Sequence, residues 1–191
     1  MGRLIVEQIV TADGFAAGPR GSLDHLIPPE DARGNGGVDE GHLRMLESVE
    51  AILLGRNTYR IFEEYWPTKT VDEEPLADLI NALPKHVVTN TLRRAPWGDY
   101  SSATVEVGEP RDSVRRLKNR YTGDIILWGS LTLAGALLQA ELVDHVRLRI
   151  VPVLLGEGET STVGLRHARD LRLVEIDTFP SGHVTLAYDV L

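Results

Sequence analysis

The chain of 191 residues has no cysteine. That excludes disulfides, thiolate-bound metal and cysteine nucleophiles together. Basic residues are in the minority: 20 Lys and Arg stand against 28 Asp and Glu, a formal net charge of −8. A broad nucleic-acid footprint needs a basic surface, so that class is disfavoured, while a local anion site is not. Long apolar runs are missing, and none approaches the roughly eighteen residues of a membrane-spanning helix. Near the N-terminus, Glu7 and Gln8 come too early for the apolar stretch of a signal peptide. The expected location is the cytoplasm, with no membrane and no nucleic acid as partner.

Several catalytic signatures are absent too. Gly34-Asn35-Gly36 and Gly156-Glu157-Gly158 lack the third glycine of G-x-G-x-x-G, and there is no P-loop. His25, His42, His86, His145, His167 and His183 form neither H-E-x-x-H nor a close pair, so no metal is expected. Ser22, Ser130 and Ser161 lack a G-x-S-x-G setting, which leaves hydrolase chemistry unsupported.

What is present is 42% hydrophobic residues, enough for a globular core in one domain spanning 1–191. Leu4–Val10 reads as a strand, Thr11–Gly41 as a long irregular stretch and Val38–Ser48 as a helix. Strand Ala51–Leu54 precedes a helical stretch through Tyr65; helix Asp72–Leu83, with Pro75 in its first turn, precedes strand Lys85–Thr89. Thr104–Val107 is a weak strand, Arg111–Tyr121 an amphipathic helix and Asp124–Trp128 an apolar strand before helix Leu131–Ala140. His145–Leu155, Leu171–Thr178 and His183–Val190 are strands alone, the second slipping phase at Leu173-Val174 as a bulge would. The expected class is α/β: a mixed, mostly parallel central sheet flanked by helices, with antiparallel C-terminal strands. Those last strands expose surface unless covered, which points to a homodimer.

Two junctions carry the chemistry. Ala51–Leu54 runs into Gly55-Arg56-Asn57-Thr58, and Asp124–Trp128 into Gly129-Ser130-Leu131, each opening a helix. A helix N-terminus offers unpaired N–H groups and partial positive charge, and glycine admits a phosphate close to the backbone. Arg56 can pair with phosphate oxygens and Thr58 can add a hydroxyl. A tight turn with a helix cap is the plainer reading of the same four residues.

The chain resembles the dihydrofolate reductase-like family, and more closely the branch similar to the reductase domain of bacterial riboflavin biosynthesis. The resemblance rests on Thr11-Ala12-Asp13-Gly14-Phe15, Leu54–Tyr59, Tyr65-Trp66-Pro67, Val88–Leu92, Trp128–Leu131, Leu142-Val143-Asp144 and Val151–Gly158, in family order along nearly the whole chain. It implies a reduced nicotinamide cofactor, usually NADPH. Arg56 and Thr58 then contact its phosphates, while Gly129, Ser130 and Leu131 give backbone donors to the pyrophosphate. Thr89, Asn90 and Thr91 lie near the ribose and its 2′-phosphate. Asp13-Gly14 would cover nicotinamide and substrate, with Trp66, Gly156 and Glu157 on the substrate side. Asp13 could hold substrate or relay a proton, or serve as an Asp-Gly turn; Glu157 reads equally as a solvated carboxylate. The implied activity is reduction of a small heterocycle, with a ribosylaminopyrimidine as the best single substrate. A non-catalytic ligand-binding protein and a true folate reductase are the alternatives. The sequence departs from the family in the glycine-rich 34–41 segment and at Glu159-Thr160-Ser161-Thr162.

Overall fold

The structure is a computed structural model that describes residues 1–24 and 40–191. His25, Pro28-Pro29 and nearly all of the glycine-rich 34–41 segment lie outside the described residues, as does the start proposed for a helix at Val38.

The elements, in order, are β1 (Leu4–Thr11), β2 (Phe15–Ala17), α1 (Glu40–Glu47), β3 (Val49–Gly55), α2 (Arg56–Tyr65), α3 (Ala77–Ala82), β4 (Lys85–Val88), β5 (Ala95–Trp97), β6 (Tyr100–Glu106), α4 (Pro110–Arg120), β7 (Asp124–Trp128), α5 (Leu131–Gln139), β8 (His145–Val151), β9 (Glu159–Thr160), β10 (Leu171–Thr178) and β11 (Val184–Val190). They fall into two compact units. The first holds Met1–Leu4 and the described part of Val38–Ser130; the second holds the described part of Ile5–Gly37 together with Leu131–Leu191.

In the first unit the strand order is β7-β3-β4-β6-β5. β3 pairs in parallel with both β7 and β4, and β4 in parallel with β6; β5 closes the edge antiparallel to β6. The residues explain the arrangement. Ala51–Leu54 and Ile125–Leu127 are continuous apolar runs, 0–1% exposed, as strands covered on both faces must be. Each such Ile or Leu contributes about 1.5–3 kcal/mol on burial. α2 ends where Pro67, in the 3-10 turn Trp66–Thr68, can no longer donate an N–H. α4 starts with Pro110 in its first turn and turns Val114 and Leu117 inward, as its spacing predicts.

α3 is shorter than expected. Residues 72–76 form turns: Glu73 accepts the Thr70 N–H and hydroxyl, and the Ala77 N–H donates to the Glu74 carbonyl. Pro75 disfavours a helical Glu74, so the helix begins only at Ala77. The edge strand β5 was not anticipated, and β6 starts four residues before the expected Thr104.

In the second unit the order is β10-β11-β8-β1, with β1 parallel to β8 and the other pairings antiparallel. The β10 register shifts between Leu173 and Glu175, where the apolar pattern slips. A separate pair, β2 with β9, lies inside the stretch expected to be irregular. Within β8, Arg147 is 2% exposed, paired with the buried Glu7 at 3.3 Å and with Glu175 at 3.1 Å. The fold class is the expected mixed α/β one.

Candidate functional site

The carboxyl ends of β7, β3 and β4 stand side by side in the first unit. The chain leaving β3 turns through α2 towards β4, while the chain leaving β7 passes out of the unit after Ser130. Ligands of open α/β sheets bind outside the carboxyl ends of their strands.

Glycines bring the first two strand ends into contact. A Cβ on Gly55 would lie 2.2 Å from Ser130 Oγ and 2.7 Å from its Cβ. A Cβ on Gly129, whose φ is +61°, would lie 2.8 Å from Thr58 Oγ1. The two turns are tied together by the Ser130 N–H, which donates to Thr58 Oγ1 at 3.0 Å. Ser130 itself adopts a left-handed φ of 50°. Its N–H therefore serves the cradle itself, which leaves Thr58 its hydroxyl proton to donate. Leu131, the third expected donor, is the first residue of α5.

α2 has ten residues, Gly55 as N-cap, no side-chain cap hydrogen bond and no acidic residue in its first turn. Arg56 and Asn57 are exposed there, and Thr58 is half-buried. The exposed first turn therefore carries no side-chain cap and no carboxylate of its own to compete for an anion. The third strand end completes the arrangement. Arg56 Nη1 donates to Thr91 Oγ1 at 3.1 Å, and Thr91 Oγ1 lies 3.2 Å from Thr89 Oγ1. Thr89 also accepts the N–H groups of Thr91 and Leu92, which fixes the turn after β4. Asn90 Oδ1 accepts the Gly108 N–H at 2.8 Å, so Asn90 secures the neighbouring loop. Arg93 and Arg94 are exposed just beyond this turn and were not picked out from the sequence, which marked only the polar run before them.

The donors suit a phosphate-bearing anion: an uncapped helix start adds positive potential, and a guanidinium is held at the neighbouring strand end by a threonine, beside two turns packed closely on one another at Gly55 and Gly129.

Asp13 belongs to the second unit and is engaged on both oxygens. Thr11 donates its hydroxyl to Oδ1 at 2.6 Å; the Leu155 and Gly156 N–H groups donate to Oδ2 at 3.0 and 2.8 Å. The Thr11 hydroxyl first, then these N–H groups, hold the carboxyl below the usual carboxylate range. A carboxylate so held is a poor proton donor at neutral pH; its geometry is that of a clamp between the Thr11–Gly14 turn and the 155–156 turn. Gly14, with φ +89°, closes the first turn through its N–H to the Thr11 carbonyl. Gly158 passes so near β2 that a Cβ would meet the Ala17 carbonyl at 2.2 Å. Glu157, between Gly156 and Gly158, is exposed.

Trp66 is half-buried in the first unit, 6.0 Å from Phe62 and 5.3 Å from Tyr65 between ring centroids. Phe62 also lies 6.0 Å from Trp128, which meets His42 edge-on at 6.5 Å. This aromatic group adjoins the end of β7. The spacing of Phe62 and Trp66, four residues apart on one helical face, was the available signal for it. Trp97 is core: it is 0% exposed and donates Nε1–H to Asn81 Oδ1 at 2.7 Å. No cluster of potential metal ligands occurs among the described residues, and no described helix is long and apolar enough to cross a membrane.

Comparison with known proteins places the chain. It is 30% identical over 190 residues to the uncharacterized protein YyaP of Bacillus subtilis strain 168, covering 97% of this chain and 94% of the relative. A protein of Shewanella sp. PV-4 ascribed to riboflavin biosynthesis superposes with a TM-score of 0.76 at 22% identity, over 99% of both chains. Dihydrofolate reductase of Enterococcus faecalis, complexed with NADP(H), superposes with a TM-score of 0.55 at 14% identity, covering 98% of this chain and 96% of that one. The fold is thus dihydrofolate reductase-like. Residues 3–185 match one family over nearly the full length, and the chain belongs to the RibD C-terminal domain family.

Proposed function

We propose that the protein is an NADPH-dependent reductase of a small heterocyclic substrate, with 5-amino-6-(5-phosphoribosylamino)uracil as the substrate of choice. The observation that carries the reading is the α2 N-terminus, uncapped and without an acidic residue in its first turn, with Arg56 held beside it by Thr91 and the β3 and β7 turns packed together at Gly55 and Gly129. Membership of the RibD C-terminal domain family supports reductase chemistry on it.

When bound, NADPH supplies a hydride, which leaves as a pair of electrons with its proton to reduce an electrophilic carbon. The chain's own residues bind and orient. The α2 N-terminus and the Thr58 hydroxyl would hold the pyrophosphate, and Arg56 with Thr91 would hold the 2′-phosphate. Asp13 stays ionised and fixes the turns at 11–14 and 155–156. The second proton that balances the reduction comes from solvent.

Turnover tests this directly. Purified protein, NADPH and the phosphoribosylaminouracil should show loss of the reduced-nicotinamide absorbance matched mole for mole by reduced product. Saturable NADPH binding without turnover of this substrate or of dihydrofolate would select a non-catalytic binding protein. Turnover of dihydrofolate alone would select a folate reductase.

A further inference from the structure

The second unit holds a guanidinium that its own strands do not pair. Arg149 of β8 is half-buried, and among the described residues it has no hydrogen-bond or ion-pair partner. The registers give the reason. Its neighbour on β1 is Ile9 and its neighbour on β11 is Thr185, so neither flanking strand sets a carboxylate opposite it. Along β8 the same-face neighbours are Arg147 and Val151. Glu7 faces Arg147 and pairs with it at 3.3 Å. Asp177 stands one strand further out, opposite Thr185 on β10.

Arg147 adds an unmet donor on the same face. It is 2% exposed, gives Nε–H to Glu7 and Nη1–H to Glu175, and leaves Nη2 buried without a hydrogen-bond partner. Buried donors of a charged group are normally paired, so this one calls for an acceptor. The strands are also accessible at this point. β1 is buried along its eight residues except at Ile9, directly beside Arg149. Both lie towards the carboxyl ends of the parallel pair β1 and β8, the end at which open α/β sheets take ligands. The Arg149 charge also reaches His183, just before β11: burial first, and then Arg149, hold this imidazole below its ordinary range.

We propose that Arg149 binds an oxyanion group of the substrate, a phosphate or a carboxylate, with Arg147 Nη2 and the Thr185 hydroxyl as neighbouring donors. Same-face residues stand about 6.6 Å apart along a strand and about 4.8 Å apart across strands. A tetrahedral or planar oxyanion, accepting charge-assisted hydrogen bonds of about 2.8 Å on separate oxygens, bridges that spacing. This anion site belongs to the second unit, whereas the α2 N-terminus and Arg56 belong to the first. Assigning the anion to a substrate rests on the reductase reading; its binding at Arg149 does not.

The His183 imidazole, followed by NMR at constant ionic strength, reads the site. Ribose 5-phosphate or p-aminobenzoylglutamate should shift it saturably and raise its pKa, because a bound anion cancels the Arg149 charge; ribose should do neither. A response to the first probe selects a phosphoribosyl source, and a response to the second a folate-like one. Arg149→Gln should raise the resting His183 pKa and weaken the responding probe about ten- to a hundredfold, while Arg149→Lys should keep part of the response. Arg56→Ala, in the first unit, should leave the response intact. No saturable response to either probe, or a response that survives Arg149→Gln in a protein melting like wild type, would overturn the proposal even if the enzyme turns over. An Arg149-dependent response in a protein that oxidises NADPH with no substrate would keep the anion site and overturn its assignment to a reductase substrate.

Discussion

Replacing Gly55 by alanine is the sharpest perturbation of the cradle. The new Cβ would sit 2.7 Å from Ser130 Cβ and 2.2 Å from its Oγ. The hydroxyl can rotate away, but the Cβ moves only with the backbone, so the β3–α2 and β7 turns must part by several tenths of an ångström. Overpacking of this kind costs about 1–3 kcal/mol. A cradle that must reclose around phosphate loses the same amount in binding, roughly five- to 150-fold in NADPH affinity. Ser130→Gly removes both clashing atoms and relieves a left-handed φ of 50°. That relief of about 1 kcal/mol is offset by the added freedom of glycine in the unfolded chain, so the single change is nearly neutral for stability. The double variant Gly55→Ala/Ser130→Gly should recover affinity to within about threefold and show a coupling of about 1–3 kcal/mol. Fluorescence titration with NADPH and thermal melts of all four proteins measure this cycle. Additive effects, or a Gly55→Ala protein that binds and melts like wild type, would refute the proposed contact between the two turns.

Lys85, 3% exposed beneath the Trp97 ring and donating to the Asn81 carbonyl, has its pKa pushed down by burial to about 8. The unfolded chain keeps its proton up to about pH 10.4, so stability rises with pH from about 8 to 10, by at most about 1.4 kcal/mol per pH unit. Lys85→Met should flatten that slope in denaturant titrations, and an unchanged slope would contradict the assignment. Arg147→Ala removes the cation paired with the buried Glu7 and should cost about 3–5 kcal/mol, lowering the melting temperature by roughly 6–20 °C. Glu7→Leu/Arg147→Met should recover most of it, and a tolerated single change would show that the pair is not buried. Asp13→Asn should speed amide exchange at Leu155 and Gly156 on the order of tenfold while leaving NADPH affinity unchanged, because an amide cannot accept all three donors as the carboxylate does. Unaltered exchange would remove Asp13 from its clamping role.

Much of the fold was legible because local signals agreed with tertiary packing. The apolar runs at Ala51–Leu54 and Asp124–Trp128, the spacing of Val114 and Leu117, and the phase slip at Leu173-Val174 each lead to the observed element. The two junctions were readable as glycine at strand ends, though not that Gly55 touches Ser130, a contact between residues far apart in sequence. β2 and β5, three residues each, are too short to show a period, and their pairing comes from partners elsewhere. Asp13 looked like a turn residue or a proton relay because the Leu155 and Gly156 donors cannot be seen from its neighbours. The burial of Arg147 is not legible from β8 alone, because its buried partner Glu7 lies on β1, 140 residues away.

The central claim is that the ends of β7, β3 and β4 bind a phosphorylated dinucleotide. Titration of NADPH and NADH against the wild type, Arg56→Ala and Thr91→Val tests it most directly, with thermal melts as the folding control. The account expects NADPH to bind about ten- to a hundredfold more tightly than NADH, since a hydrogen bond to a charged group contributes about 1.5–3 kcal/mol. Arg56→Ala should erase that preference, Thr91→Val should reduce it, and neither should change the melting temperature by more than a few degrees, because both side chains are exposed. Equal affinities for the two cofactors in the wild type, or an Arg56→Ala protein that keeps the preference, would contradict it.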